Sequence, residues 1–313
     1  VTTPAQVSRA LDSLQRLRVD FVKIYDSKIS GDAYLETISQ AEKRGLKTTG
    51  HMPYSVTLAE AVTRGLDATE HLYYVFKACS GKEDSLTALV RNSLSTSKPL
   101  GLFAMLPAVY DTYSPAAAQR IFRLMASHHT AAVPTLAIGK TLAELAENDH
   151  AHDTLRAYID PRIQRTYAKR LAGAKQQSAA SRAFSQKLEA KFRTLVPQLQ
   201  AAGVTILAGS DSGPFNSFTY PGASLHDELA ELVRAGLTPA QALRAATLNG
   251  ATFMGAAARS GSITEGKEAD LVLLTANPLA DIANTRKIAA VVSRGKIYSR
   301  QDLGKMLAAI KNN

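Results

Sequence analysis

The chain has one cysteine, Cys79, among 313 residues. A single thiol excludes an internal disulfide and a thiolate zinc cluster, and it leaves the redox compartment open. No apolar run approaches the roughly 20 residues that a bilayer-spanning helix requires, so no membrane span is expected. Lys and Arg outnumber Asp and Glu by 37 to 27, a formal charge of +10, but they are scattered. A dense basic tract with interleaved aromatics is missing, which argues against nucleic acid as a partner. A mildly electropositive surface that draws in acidic small substrates fits better. The opening VTTPAQVSRALDSLQRLR lacks a methionine and the layout of a signal peptide; Thr3 and Pro4 instead begin a helix. Any targeting segment would be invisible in a processed or partial chain, so cytoplasmic and exported locations both stay open.

What is present is ordinary for a soluble enzyme: 45% apolar and 20% charged residues, in a length that suits one barrel domain with an appendage. Several stretches share one grammar, a helix, a short break and an apolar strand with one polar residue at its end. AEKRG-LKTTGH ends on His51, AVTRG-LDATEH on His71 and LQAAG-VTILAGSD on Asp211, while VDFVKIY carries Lys23 in its middle. Repeated helix–strand units imply an α/β fold with a parallel sheet, and a closed (β/α) barrel would gather the strand ends at one face. Strands are expected to end near Tyr25, His51, His71, Leu136 and Asp211. Residues 1–260 are expected to form the barrel, with an insertion or lid over 73–128 and a polar helical segment over 139–195. From 261 to 313 the pattern changes to a small β appendage. There GSITEGKEADLVLL and IAAVVSRGKIYS read as antiparallel strands, turning at Glu265-Gly266 and Arg294-Gly295, before a helix at 302–311.

His51, His71 and Asp211, each at a strand end, are residue types that bind Zn²⁺ and similar divalent ions. In FVKIY, Phe21, Lys23 and Tyr25 share one face. An amine buried in a strand is costly, so it loses its proton or gains partners; the alternative is an edge strand whose lysine reaches solvent. His150-Ala151-His152 is expected on a helix, where alternate residues diverge and do not converge on an ion. His128 and His129 precede a strand rather than end one. Tyr73, Tyr74, Tyr220 and His226 are placed to line the mouth of a site, where contact with substrate and plain packing are both open.

Lys23 in VKIY, His51 in TTGHMP, His71 in ATEHL and Asp211 in LAGSDSG, in that order, resemble the later part of a metal-dependent amidohydrolase. The likeness is greatest to the imidazolonepropionase-like and Xaa-Pro dipeptidase-like branch. LHDELAELVRAGLTPAQALRAATLNGATFMG and GSITEGKEADLVLL extend it from Val19 to about Ser299. The resemblance implies a (β/α)8 TIM barrel with a small β-sandwich, and a binuclear centre of two divalent ions, zinc first among them. It also implies that a carboxylated Lys23 bridges both ions, that His51 and His71 bind one of them, and that Asp211 binds the other and acts as general base, then acid. The implied activity is hydrolysis of amide-type C–N bonds in a dipeptide or N-acyl amino acid, with a lactone or another ester as further options. One departure stands out. The family's first strand carries a His-x-His pair for the first metal, and nothing before Val19 supplies it. The expectation is therefore a portion with only the later barrel strands. Such a portion would be catalytically incomplete unless another segment or a homo-oligomer completes it.

Overall fold

A computed structural model describes residues 2–26, 29–213 and 215–311, which include every candidate site residue. The chain forms two compact units, Val1–Pro134 with Gln198–Leu207, and Thr135–Pro197 with Ala208–Asn313.

In the first unit, α1 (Pro4–Arg16), β1 (Val22–Ile24), α2 (Gly31–Lys43), β2 (Thr48–Gly50), α3 (Leu58–Thr63) and β3 (Ala68–Glu70) alternate as the sequence predicts. Thr3 and Thr57 start α1 and α3 with reciprocal capping boxes to Gln6 and Glu60. Helices α2 and α3 end alike. Gly45 and Gly65 take positive φ, and the amides of Leu46 and Leu66 reach back to the carbonyls of Ala41 and Ala61. This closure satisfies orphan carbonyls, tucks an apolar residue under the helix and aims the chain into the next strand. It is the physical content of the repeated helix–strand grammar.

Strand β1 pairs in parallel with β2, Lys23 opposite Thr49. Strand β3 pairs in parallel with β4 (Ala131–Val133), and β4 meets Ile206 through a further parallel bridge. Between β3 and β4 lie four helices, α4 (Tyr73–Ala78), α5 (Glu83–Ser93), α6 (Leu102–Asp111) and α7 (Pro115–Ser127). Their apolar faces join the core, where Tyr34, Ile38, Leu58, Val62, Phe76, Phe122 and Met125 are buried.

The second unit holds α8 (Leu136–Ala143), a 3-10 turn (Thr154–Tyr158), α9 (Pro161–Lys175) and α10 (Ala179–Ala201) as far as Pro197. Then come α11 (Ala223–Arg234), α12 (Pro239–Ala246) and α13 (Leu248–Phe253). An antiparallel sheet of β5 (Leu271–Leu274), β6 (Ile288–Ser293) and β7 (Lys296–Ser299) follows, then α14 (Arg300–Lys311).

Several expectations are corrected. A closed barrel is not formed among the described residues; the parallel pairs are three residues long. Leu136 does not end a strand: β4 stops at Val133, and Leu136 begins α8. The last expected strand shortens to the bridge at Ile206, so Asp211 lies beyond it in irregular backbone. Residues 261–264 form no strand, because the turn at Gly266 does not return the chain onto a partner. His150 and His152 lie in a turn rather than a helix, His150 with φ 54°.

Three carboxylates are buried in the second unit: Glu189, Glu228 and Glu231. Thr135 enters α8 with φ 51° and gives no side-chain cap. Glu228 of α11 takes that role, accepting the Ala137 amide at 2.8 Å. Glu189 fits against Gly139, where a Cβ would lie 2.3 Å from its carboxylate oxygen. Burial pushes Glu189 up to about 8, with help from the charges of Glu228 and Glu231, and pushes Glu228 up to about 7. Both carboxyls hold protons more tightly folded than unfolded. Their contribution to stability is therefore full below the ordinary value of 4.5 and is lost as pH rises through about 7 and about 8. The thermal midpoint is expected to decline from about pH 5 to about pH 9, and Glu189→Gln to flatten that decline. Circular dichroism melts across the range check this; an equal slope in the variant would refute it.

Candidate metal centre

The register of β1 and β2 sets a polar row. Lys23 and Thr49 are partners across the pair, and Glu70 of β3 completes the row. Thr49 Oγ1 donates to Glu70 Oε1 at 3.2 Å, and Lys23 Nζ lies 2.5 Å from Glu70 Oε2. Val22 and Ile24 are buried on the other face of β1, whereas the Lys23 side chain is 38% exposed. The expectation of a buried lysine is corrected: β1 pairs on one side with β2, and on the other a cleft of about 270 Å³ opens beside Lys23 and Tyr25. The amine keeps water and gains a carboxylate.

Immediately after the strands stand the two histidines. Gly50 has φ 123°, and a Cβ there would come within 2.2 Å of the Ile24 carbonyl oxygen; that carbonyl accepts the His51 amide at 2.9 Å. Only glycine lets β2 lie this close to β1 as it hands over to His51. His71 also takes positive φ, 62°, and its amide bonds to the Val133 carbonyl. A non-glycine residue in that region marks a constraint imposed by its surroundings.

The two Nε2 atoms lie 3.1 Å apart. His51 Nδ1 is 3.3 Å from Asp26 Oδ1. A carboxylate only accepts, so Nδ1 carries the hydrogen and the Nε2 lone pair of His51 faces His71. Asp26 also accepts from the Tyr74 hydroxyl at 3.4 Å. Burial raises Asp26, but its interaction with His51, together with the bonds it accepts from its own backbone and Tyr74, outweighs that and holds it below the usual carboxylate range. Farther back, Lys77 is completely buried and donates to the carbonyls of Tyr54 and Val56 at 2.6 and 2.9 Å, pinning the chain after His51. Burial brings Lys77 down to about 8.

His51, Glu70 and His71 each offer one donor atom, all within 4.8 Å of one another. Two nitrogens on one tetrahedral ion, at Zn–N distances of about 2.0–2.1 Å, stand about 3.3 Å apart. The 3.1 Å separation and the donor chemistry fit one divalent ion. Among the described residues this is the one group of three or more His, Cys, Asp or Glu with such spacing. A larger hollow of about 710 Å³ in the same unit, beside Ser80, Lys82 and Arg120, includes none of these donors.

Of the residues singled out from sequence, the structure thus brings together Lys23, His51 and His71, with Tyr73 beside them, its ring 6.2 Å from that of His71. Asp211 belongs to the second unit, with φ 49° and its carboxylate bonded by Asn216 Nδ2 at 2.9 Å. Tyr220 is buried and donates to Asp153 at 2.7 Å. His226 Nδ1 lies 2.9 Å from Thr285 Oγ1, and burial, then the Arg286 charge, lower its pKa. Sequence reasoning missed Glu70 and Asp26. Glu70 had a signal, since it directly precedes His71 at the end of a strand; Asp26 had none beyond following VKIY.

Comparison with known proteins gives consistent results. The profile of the amidohydrolase family matches residues 18–298. An ochratoxinase from Aspergillus niger is 37% identical over 108 residues, 33% of this chain and 21% of that protein. A solved bottromycin amidohydrolase superposes with a TM-score of 0.72 at 22% identity, over 99% of this chain and 63% of that one. A Xaa-Pro dipeptidase with bound methionine superposes with a TM-score of 0.61 at 18% identity, over 96% and 59%. The chain thus spans about three fifths of the length of these two structures, and at such identities they show the fold.

His51→Ala is expected to abolish binding of a divalent ion. Asp26→Asn, which leaves the ligands in place but unsettles the ring, should weaken it about 10- to 100-fold. Competition for Zn²⁺ against a chromogenic chelator measures both; unaltered affinity in His51→Ala would rule the centre out.

Proposed function

The chain belongs to the amidohydrolase family, and from that premise we propose that it serves as a metal-dependent hydrolase of amide-type C–N bonds in small substrates. The observation that carries the reading is the facing pair of imidazole nitrogens, 3.1 Å apart, with a carboxylate beside them. His51, His71 and Glu70 would hold a divalent ion, and the mixed nitrogen and oxygen donors favour zinc. Such an ion supplies Lewis acidity, lowering the pKa of a water and polarising the scissile carbonyl. Asp26 keeps His51 in the tautomer that ligation needs. Asp211 accepts the proton of the attacking water and returns it to the leaving amine. Lys23 is the residue that, carboxylated, would bridge a second ion. Its present partner, Glu70, would then have to release it. Tyr73, Tyr220 and His226 are the candidate substrate contacts, and residues 1–260 would carry the chemistry, with 261–313 as a β appendage.

The names of the similar proteins, a Xaa-Pro dipeptidase, a bottromycin amidohydrolase and an ochratoxinase, support an amide or peptide substrate. The net positive charge favours an acidic one, such as a dipeptide or an N-acyl amino acid, with esters as weaker candidates.

A second reading has its own observation: the described residues assemble donors for one ion. On it, a working two-ion site takes its remaining ligands from another segment or from a second copy of the chain. Metal content with intact mass separates the two. Two ions per chain of 33.5 kDa support the self-sufficient hydrolase; one ion or none supports the incomplete one. In an active preparation screened on dipeptides and N-acyl amino acids, Asp211→Asn is expected to lower kcat by about 10²-fold or more while most of the metal is retained. Full turnover in that variant would remove Asp211 from the mechanism.

A further inference from the structure

Two described residues of the segment that follows the Ile206 bridge are held in a costly conformation. Asp211 and Phe218 both take positive φ, 49° and 63°. Each non-glycine residue there is strained unless its surroundings enforce the conformation. Within the same loop Ser217 is completely buried and its hydroxyl has no hydrogen-bond partner among the described residues. Compensation comes from both ends. Asn216 Nδ2 donates to the Asp211 carbonyl at 2.5 Å and to its carboxylate Oδ2 at 2.9 Å. At the far end the loop is fastened to the 148–167 segment of the same unit. The Phe218 ring stacks on His150, centroids 4.3 Å apart and planes within 10°, with Tyr167 of α9 4.9 Å away from it. Asp153 Oδ2 accepts from Tyr220 at 2.7 Å and lies 2.8 Å from His150 Nδ1. One carboxylate oxygen thus holds both the ring under Phe218 and the phenol two residues further on. Tyr167, Phe218 and Tyr220 belong to a single buried cluster with Leu145.

Because the 150–152 stretch is a turn, the divergence of alternate side chains on a helix no longer describes it. His150 is engaged, but by a carboxylate and an aromatic ring rather than by a metal-ligand set.

We propose that His150 is a positioning residue for Asp211. Through Asp153, Tyr220 and Phe218 it clamps the 211–220 loop, and so fixes the carboxylate that acts as base in the hydrolase. The catalytic half of this inference rests on the function proposed above; the clamp itself does not. The polar helical segment is then the seat of the catalytic loop rather than a decoration.

The test uses the full chain loaded with Zn²⁺, as wild type, His150→Ala, His150→Asn and Tyr220→Phe. Hydrogen–deuterium exchange is followed in peptides covering 209–222, with 161–175 as reference. Zinc content is measured on each protein, and kcat and KM on the dipeptide or N-acyl amino acid that the wild type cleaves. Losing a hydrogen bond to a charged group should speed exchange of 209–222 about tenfold in His150→Ala and Tyr220→Phe, with the reference region steady. His150→Asn, whose amide can still donate to Asp153, should recover part of the protection. In His150→Ala kcat should fall about tenfold or more, while KM and zinc content change less than about twofold. Unchanged exchange over 209–222, or a rise of equal size throughout the chain, would overturn the clamp. Faster exchange without loss of kcat would overturn the positioning role. A wild type that cleaves nothing refutes the hydrolase function, and the exchange data then decide the clamp by themselves.

Discussion

Two imidazole nitrogens held 3.1 Å apart cannot both carry a proton, and much of the first unit serves to keep them there. Two N–H groups pointed at each other at that distance would clash, whereas a lone pair on each ring suits one cation between them. Left free, either ring would rotate away. The restraint on His51 is layered: Asp26 fixes the ring, Tyr74 steadies Asp26, and Lys77 ties down the two carbonyls behind. His71 is restrained through its backbone, by a left-handed conformation and an amide bond to β4. The pair is therefore built by the sheet and its connections, and any ion that binds meets ligands already in place.

The second unit shows the same principle with other chemistry. The Glu228 side chain of α11 caps α8, and among the described residues neither its remaining oxygen nor Oε2 of Glu231 has a hydrogen-bond partner. Burial disfavours the charged form, and so moves Glu189 and Glu228 toward neutrality. The 211–222 loop carries strain in its backbone, and the aromatic and carboxylate contacts around His150 offset it. In each unit such strained or desolvated groups are held by contacts made within that unit.

How much of this the sequence reveals follows from how local each cause is. The helix–glycine–strand units were legible because capping, the left-handed closure and the apolar period all act within a few residues. Boundaries at Pro115–Ser127 and at β6–β7 are of this kind. The His51 and His71 positions were legible because strand ends in parallel sheets converge. The exposure of Lys23 was not, because it depends on what lies beside β1 rather than on β1 itself. Glu70 was overshadowed by the histidine next to it, although the Lys23–Thr49 register leaves it as the natural partner of the amine. The turn at His150 escaped because ENDHAHDTLRAY has helix-compatible residues and its fold is imposed by Phe218 and Tyr220, nearly 70 positions away.

Gly50 gives the centre a vulnerability with no ligand atom attached to it. Every single-base change in a glycine codon that alters the amino acid introduces a Cβ, and here any Cβ would strike the Ile24 carbonyl. The strand carrying Lys23 and the residue before His51 would be pushed apart together. Among natural or random variants, this position should therefore tolerate missense change as poorly as the histidines do, for a reason of backbone spacing that no inspection of donor atoms would disclose.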